Sequence, residues 1–255
     1  MRLPRLSPAF LPPPSELAWY AILRSIRRWA RDLPEEELLK RIERLSATVA
    51  SVCGRSPAPF VAMGRGLAQT VYCRLHRVRI LDRLEPASLV RWEKFQKEAA
   101  RLPRAVFVSA HLGPFQLQMD LLAELPQQLF FLYRSYRWAP LAREMEALRL
   151  KAARFRYVDV RRPREIAKEL LNGHSPAFLG DLDTTHFPVR LAIRLNLPLF
   201  VGGLYNLPRP SAKSFFGLDY DRIEPNGLET TGRVYAAAMN RLIRNNLRDW
   251  VHFER

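Results

Sequence analysis

The pattern of apolar positions changes near residue 103. Before it, apolar residues recur every three or four positions, which predicts amphipathic helices. After it, apolar runs of strand length alternate with helical patterns, which is typical of a mostly parallel sheet with helices on both faces. We expect helices at 15–31, 34–49, 60–75, 87–100, 140–153, 163–172, 189–195 and 229–247, and strands at 105–110, 129–134, 156–160, 177–183, 197–205 and 214–223. We therefore predict one α/β domain over 1–255, with a mainly helical part at 1–103 and an α/β catalytic part at 104–255.

The first predicted helix combines an apolar stripe with an arginine-rich polar face. Its stripe is formed by Leu17, Tyr20, Leu23, Ile26 and Ala30. Such a helix lies in a membrane interface or packs on a protein core, and the pattern fits both alternatives equally. The chain has no run of 18 uncharged apolar residues, so we expect no membrane-spanning helix. Prolines at 12–14 interrupt the apolar stretch near the N-terminus, so we expect no signal peptide.

The net charge narrows the kinds of partner. Lys and Arg number 41 against 25 Asp and Glu, which gives +16, and most of the excess is arginine. Such a chain attracts nucleic acid, anionic lipid or an acidic protein, and the planar guanidinium suits phosphate. Charge alone does not choose among these partners. Cys53 and Cys73 show no CxxC spacing, so we expect reduced thiols and a cytoplasmic setting.

Polar residues follow two of the predicted strands at points where chemistry is expected. Active residues of parallel sheets collect just beyond the carboxyl ends of the strands. His111 follows the first strand and has a side chain that can take a proton at neutral pH, while Gly113 permits close backbone approach. The alternative is a purely structural role, in which such a histidine donates a hydrogen bond to a carbonyl of its loop. Arg134 ends the second strand. A salt bridge on the rim of the sheet and a contact with a phosphate fit its guanidinium equally well.

Two carboxylates lie at the end of the fourth predicted strand. Asp181 and Asp183 are two positions apart, so on a strand they would share one face and invite metal binding or acid–base work. The sequence offers no clear third ligand, so loop capping is the favoured interpretation and no metal is expected.

The order of these residues resembles a known family. The segment His111-Leu-Gly-Pro-Phe-Gln116 is similar to the H-x4-D/E motif of glycerolipid and lipid A acyltransferases. Four further segments resemble later blocks of that family in the correct order: Leu-Tyr-Arg134 before Trp138-Ala-Pro140, GDLD at 180–183, the helix and strand at 191–205, and the ending with Trp250. The match covers 85–255 and is closest to the lauroyl and myristoyl acyltransferases of lipid A biosynthesis in Gram-negative bacteria.

The resemblance implies a glycerolipid acyltransferase-like fold and transfer of a fatty acyl chain. The donor would be a thioester of acyl carrier protein or coenzyme A, and the acceptor a hydroxyl of a lipid A precursor or related glycolipid. His111 would be the general base, Gly113 would shape the turn, Arg134 would hold acceptor phosphate, and Asp181 and Asp183 would lie in a substrate-binding block. No cofactor, metal or nucleic acid is implied. The expected location is peripheral, on the anionic surface of the cytoplasmic face of the bacterial inner membrane.

The sequence departs from the family pattern in three ways. Gln116 replaces the carboxylate that orients the imidazole and stabilises its charged form, and Asp120, one helical turn later, is a candidate to compensate. The Phe-Gly-rich segment expected after GDLD is short. The usual N-terminal membrane helix is missing, which leaves 15–31 as candidate anchor. The alternative function is therefore a catalytically weakened protein that binds acyl carrier protein or anionic lipid without turnover.

Overall fold

The structure is a computed structural model that describes residues 14–134, 136, 138–150, 155–180, 187–211 and 214–247. A short 3-10 helix, Leu81–Arg83, precedes α4. The elements in chain order are α1 (Pro14–Asp32), α2 (Glu35–Val52), α3 (Pro57–Leu75), α4 (Pro86–Ala100), β1 (Val106–Ser109), α5 (Phe115–Leu122), β2 (Leu129–Tyr133), α6 (Ala139–Leu150), β3 (Arg156–Asp159), α7 (Pro163–Leu171), β4 (Ser175–Leu179), α8 (Phe187–Leu195), β5 (Leu199–Asn206), β6 (Phe216–Ile223) and α9 (Leu228–Asn245).

The six strands form one sheet in the order β3-β2-β4-β1-β5-β6. Strands β1 to β5 are parallel, and β6 pairs antiparallel with β5. The predicted mostly parallel α/β architecture is confirmed. The carboxyl ends of β1 to β5 therefore lie along one edge of the sheet, which we call the carboxyl edge. Along this edge the end of β1 lies between the ends of β4 and β5.

Helices cover both faces of the sheet, because successive side chains of each strand point to opposite sides. Phe107 and Phe200 face α4 and α5, and their core includes Trp92 and Leu117. Val106, Val108 and Val201 face α8 and α9 in a second core. Burial on both sides explains why the strands appear in the sequence as continuous apolar runs.

Most of the apolar stripe of α1 is buried inside the protein, with Leu17 at its N-terminal end exposed. Ile22, Leu23 and Ile26 are fully buried in a third core that also contains parts of α2, α3 and α6. Trp19 stacks on Phe60 with ring centroids 4.5 Å apart. Packing on a protein core is thus the alternative that the structure takes, and the stripe is not free to enter a membrane. Among the described residues, no helix combines the length and apolar character that crossing a membrane requires.

The fourth strand differs from its predicted bounds. The prediction of 177–183 is wrong, because β4 runs from Ser175 to Leu179. Pro176 lies within this strand although proline lacks an amide hydrogen for a sheet ladder. The ladder to β1, however, begins only at Ala177 paired with Phe107, so the missing amide breaks no pairing on that side. Asp181 and Asp183 lie outside the described residues.

Candidate active site

His111 lies at the carboxyl edge, two residues after β1 ends. The turn that carries it is anchored by Leu112, whose side chain is fully buried in the core below α8 and α9. The His111 imidazole is half-buried and meets the Phe115 ring edge-on, with centroids 5.3 Å apart and planes at 70°. The ring is therefore held in place but keeps partial access to solvent, as proton transfer to a bound substrate requires.

The His111 turn fits tightly between α3 and β5. Gly113 has φ +42, and a Cβ there would lie 3.2 Å from Asn206 Nδ2 and 3.4 Å from the Cα of Tyr205. On the other side, a Cβ added to Gly66 of α3 would lie 2.2 Å from the carbonyl oxygen of Gly113. The close backbone approach predicted at Gly113 is confirmed. Sequence reasoning missed the importance of Gly66, because a single glycine within a helical pattern gives no sign of a close backbone contact.

Substituting Gly66 tests how tightly this turn is held. We expect Gly66→Ala to lower the free energy of unfolding by about 2 kcal/mol, since the new methyl group meets backbone that cannot rotate away. Gly232→Ala in α9 is the matched control, because a Cβ there meets no atom within 4 Å. That control should raise stability by about 1 kcal/mol through helix propensity alone. Urea unfolding of both variants measures the difference, and equal shifts would contradict the packing described.

The Gln116 side chain does not form the predicted pair with His111. Its Nε2 and Oε1 atoms are buried and have no hydrogen-bond partner among the described residues. Its backbone carbonyl accepts a hydrogen bond from the Arg74 guanidinium at 3.3 Å. A buried amide without partners costs about 1–3 kcal/mol, so this side chain is kept at a stability cost. The hydrogen bond between Gln116 and His111 that a dyad needs is absent from the structure.

Asp120 is engaged elsewhere. Both of its carboxylate oxygens accept hydrogen bonds from Arg74, each at 2.9 Å. The same guanidinium bonds the backbone carbonyl of Leu148 in α6. Arg74 thus joins α3, α5 and α6, and Asp120 is directed to this junction rather than offered to His111. Sequence reasoning missed Arg74, which lies 46 residues before its carboxylate partner.

Arg134 follows β2 and is exposed at the carboxyl edge. Arg134 forms no ion pair with any described residue. The described part of the structure therefore does not show the predicted alternative of a salt bridge on the rim of the sheet. Since β4 lies between β2 and β1, the ends of β2 and β1 are separated by about 10 Å, two strand spacings. That separation allows one substrate to contact both Arg134 and His111.

A buried polar layer supports the carboxyl edge. Gln69 of α3 is fully buried and donates from Nε2 to Oδ1 of Asn206, at the end of β5, at 2.6 Å. Gln118 of α5 accepts from Ser109 Oγ at 2.8 Å and donates to the carbonyl of Gly202 at 3.3 Å. These bonds fix α3 and α5 against the ends of β1 and β5. Asn206 lies at the carboxyl end of an apolar strand. The rule that active residues collect at such ends, which identified His111, therefore applies to Asn206 as well.

A narrow, largely apolar cavity lies between the sheet and helices α4 and α5. It reaches Ser109 and Gln118, close to the His111 turn in the chain. Its walls are mainly aromatic and aliphatic side chains, including Trp92, Phe95, Phe107, Phe200, Leu218 and Tyr220. The residues that line the cavity include none between Ala110 and Leu117, so the structure shows no contact between this cavity and the His111 imidazole.

Other nucleophiles and metal ligands contribute little to this region. Cys73 is buried, and burial raises the pKa of its thiol to about 12, so it stays protonated and unreactive at neutral pH. Within the described ranges, no three His, Cys, Asp or Glu side chains cluster as metal ligands. Comparison with protein-family models and with curated proteins finds no match to this chain.

Proposed function

We propose that this protein is an acyltransferase that moves a fatty acyl chain from a thioester to a lipid hydroxyl. The donor is acyl carrier protein or coenzyme A, and the acceptor is a lipid A precursor or a related glycolipid. The observation that carries the proposal is the half-buried His111 at the carboxyl edge, on a turn whose sequence resembles the H-x4-D/E motif. An imidazole that is held in place and keeps access to solvent suits a reaction in which a hydroxyl attacks the carboxyl carbon of a long chain.

His111 acts as the general base in this proposal. Its imidazole takes the proton of the acceptor hydroxyl while the oxygen attacks the thioester carbonyl carbon. The tetrahedral intermediate then collapses, the carbon–sulfur bond breaks, and the leaving thiolate receives the proton back from the imidazolium. The products are an ester and a free thiol, so the step balances without metal or cofactor.

Charge supports the proposed substrates. Arg134 is exposed near the site and has no ion-pair partner among the described residues, which suits contact with a phosphate of the acceptor. The net charge of +16 favours an acidic carrier protein and an anionic membrane surface. We place the protein as peripheral on the cytoplasmic face of the bacterial inner membrane.

The unpaired Gln116 favours a second candidate function. Gln116 carries no charge with which to stabilise an imidazolium formed during proton transfer, and its side chain makes no hydrogen bond to any described residue. A protein of this kind would bind acyl carrier protein or anionic lipid without turnover. Thioester consumption that depends on the acceptor would rule out this candidate.

Gln116→Glu tests both the reaction and the role of this position. We expect the variant to raise kcat roughly tenfold, because a carboxylate at this position stabilises the imidazolium. The assay follows free thiol release from decanoyl, dodecanoyl and tetradecanoyl thioesters of acyl carrier protein and of coenzyme A, with a lipid A precursor as acceptor. Gln128→Glu, exposed just before β2 at the opposite end of the sheet, is the control for added charge. An equal or lower kcat for Gln116→Glu would contradict the expected role.

A further inference from the structure

A hydrogen bond between two side-chain amides joins α3 to the end of β5, beside the turn that carries His111. Gln69 of α3 is fully buried, and its Nε2 atom donates to Oδ1 of Asn206 at 2.6 Å. The Oε1 atom of Gln69 is buried without a hydrogen-bond partner among the described residues. The proposed proton transfer uses neither of these two side chains.

The Asn206 amide brings this bond into contact with the His111 turn. Because its Oδ1 atom is engaged by Gln69, its Nδ2 atom faces another direction. That atom lies 3.2 Å from the point that a Cβ of Gly113 would occupy, and the backbone nitrogen of Asn206 lies 3.5 Å from the same point. The amide therefore fills the space beside Gly113, two residues after His111. A rotated Asn206 amide would press on the turn or leave it without this support.

Two positions of α3 act on the same turn. Gly66 and Gln69 are three residues apart, so they lie on one face of the helix. The backbone at Gly66 passes so close to the turn that an added Cβ would lie 2.2 Å from the carbonyl oxygen of Gly113. Gln69 reaches another side of the turn through Asn206. Gly113 is thus held between the backbone of α3 and an amide whose orientation α3 also sets.

Packing alone does not explain a glutamine at position 69. Its neighbours on α3 include the buried apolar residues Leu67, Ala68 and Val71. Methionine would fill a similar volume without leaving a buried oxygen unpaired, which is unfavourable. What glutamine adds is the N–H group that fixes Asn206, the last residue of β5 and a partly exposed one at the carboxyl edge.

We infer that Gln69 and Asn206 are positioning residues for His111, holding its turn so that the imidazole meets the acceptor hydroxyl. The inference rests on the proposed function, since it takes His111 as the base. It adds a pair of residues that act through Gly113 and that no motif of the sequence identifies. The expected effect is on the rate, because a displacement of a catalytic group by about 1 Å can lower a rate about 100-fold.

Gln69→Met and Asn206→Leu test the inference, since each keeps a side chain of similar shape and removes the hydrogen bond. We expect each variant to lower kcat for acyl transfer about tenfold and to change KM for the donor thioester less than about twofold, because the base moves while the substrate contacts stay. The double variant should lose no more than the weaker single variant, since both act through one contact. Free thiol release with a lipid A precursor as acceptor gives both constants.

Gln127→Met is the matched control at the opposite end of the sheet. The Nε2 atom of Gln127 donates to the backbone carbonyls of Ala99 and Leu102, and its Oε1 atom is also buried without a partner among the described residues. The control therefore removes the same two groups as Gln69→Met. It should lower the urea midpoint at least as much, because two carbonyls lose their donor, and should keep the wild-type kcat.

A nuclear magnetic resonance measurement follows His111 without turnover. In ¹H–¹³C spectra of histidine-labelled protein, the His111 ring signal is the one that His111→Ala lacks. This signal depends on ring position, because the Phe115 ring meets the imidazole edge-on with centroids 5.3 Å apart. It should shift or broaden in Gln69→Met and in Asn206→Leu, and it should stay in place in Gln127→Met. Either variant is sufficient for the test if the other does not fold.

The outcomes separate this inference from the proposed reaction. A wild-type kcat in the folded variants, or an unmoved His111 signal, overturns the inference while thiol release by wild type still supports the reaction. A raised KM at unchanged kcat also overturns it, since Asn206 would then contact the substrate. If wild type never releases thiol, the proposed reaction is overturned, and a His111 signal that moves in the two variants but not in the control still supports the positioning of the turn.

Discussion

We expect His111→Ala to lower kcat for the proposed acyl transfer by about 10²–10⁴-fold, the usual loss when a general base is removed. Alanine should leave the turn intact, because Leu112 and Gly113 rather than the imidazole hold it against the core and β5. The variant removes the group that we propose takes the proton of the acceptor hydroxyl. Free thiol release from the best donor thioester, measured with and without a lipid A precursor, gives the rate.

A histidine at the other end of the sheet is the control. His174 precedes β4, and its Nδ1 atom lies 2.5 Å from an oxygen of buried Glu169. His174→Gln keeps a hydrogen-bonding group beside that carboxylate and should leave the transfer rate unchanged. Full activity in His111→Ala, or equal losses in the two variants, would show that His111 is not the base.

Arg74→Ala is expected to lower the free energy of unfolding by about 3 kcal/mol, as breaking a largely buried ion pair usually does. Only 14% of the Arg74 side chain and 25% of the Asp120 side chain are exposed. The variant removes two hydrogen bonds from the Asp120 carboxylate and the guanidinium donor from the backbone carbonyls of Gln116 and Leu148. Urea unfolding at neutral pH measures the loss.

An exposed arginine provides the comparison. Arg41 bonds Glu37 one turn earlier on α2 at 2.8 Å, and both side chains are about half exposed, so Arg41→Ala should cost roughly 0.5 kcal/mol or less. Arg74→Lys keeps the charge but loses the planar fork, so its stability should fall between wild type and Arg74→Ala. A loss for Arg74→Ala no larger than that for Arg41→Ala would mean that the junction of α3, α5 and α6 does not depend on this side chain.

The sequence predicts most of the fold because hydrophobic period is a local property. The helix at 15–31 and the strand at 129–134 were found within one residue at each end, since apolar spacing and flanking breakers mark them. The strand at 177–183 was misplaced at its start, because Ser175 and Pro176 belong to β4 through their pairing with β2, which the local apolar pattern does not show.

The candidate site could be predicted where it depends on strand ends and not where it depends on tertiary pairing. His111, Gly113 and Arg134 follow their strands directly, so the parallel topology places them along one edge. The partner of Asp120 could not be predicted, because Arg74 belongs to another helix. The isolation of Gln116 was equally hidden, since spacing from His111 says nothing about side-chain direction.

The core shared by α1, α2, α3 and α6 has a consequence for the order of folding. Leu141, Met145 and Leu148 of α6 complete this core, and Arg27 of α1 pairs with Glu144. During synthesis, the apolar sides of the first three helices therefore remain partly uncovered until about residue 150 has left the ribosome. By then β1 and β2 have also been synthesised, so the helical part and the sheet fold together. A fragment that stops near 103 would expose part of this apolar core and would be prone to aggregation.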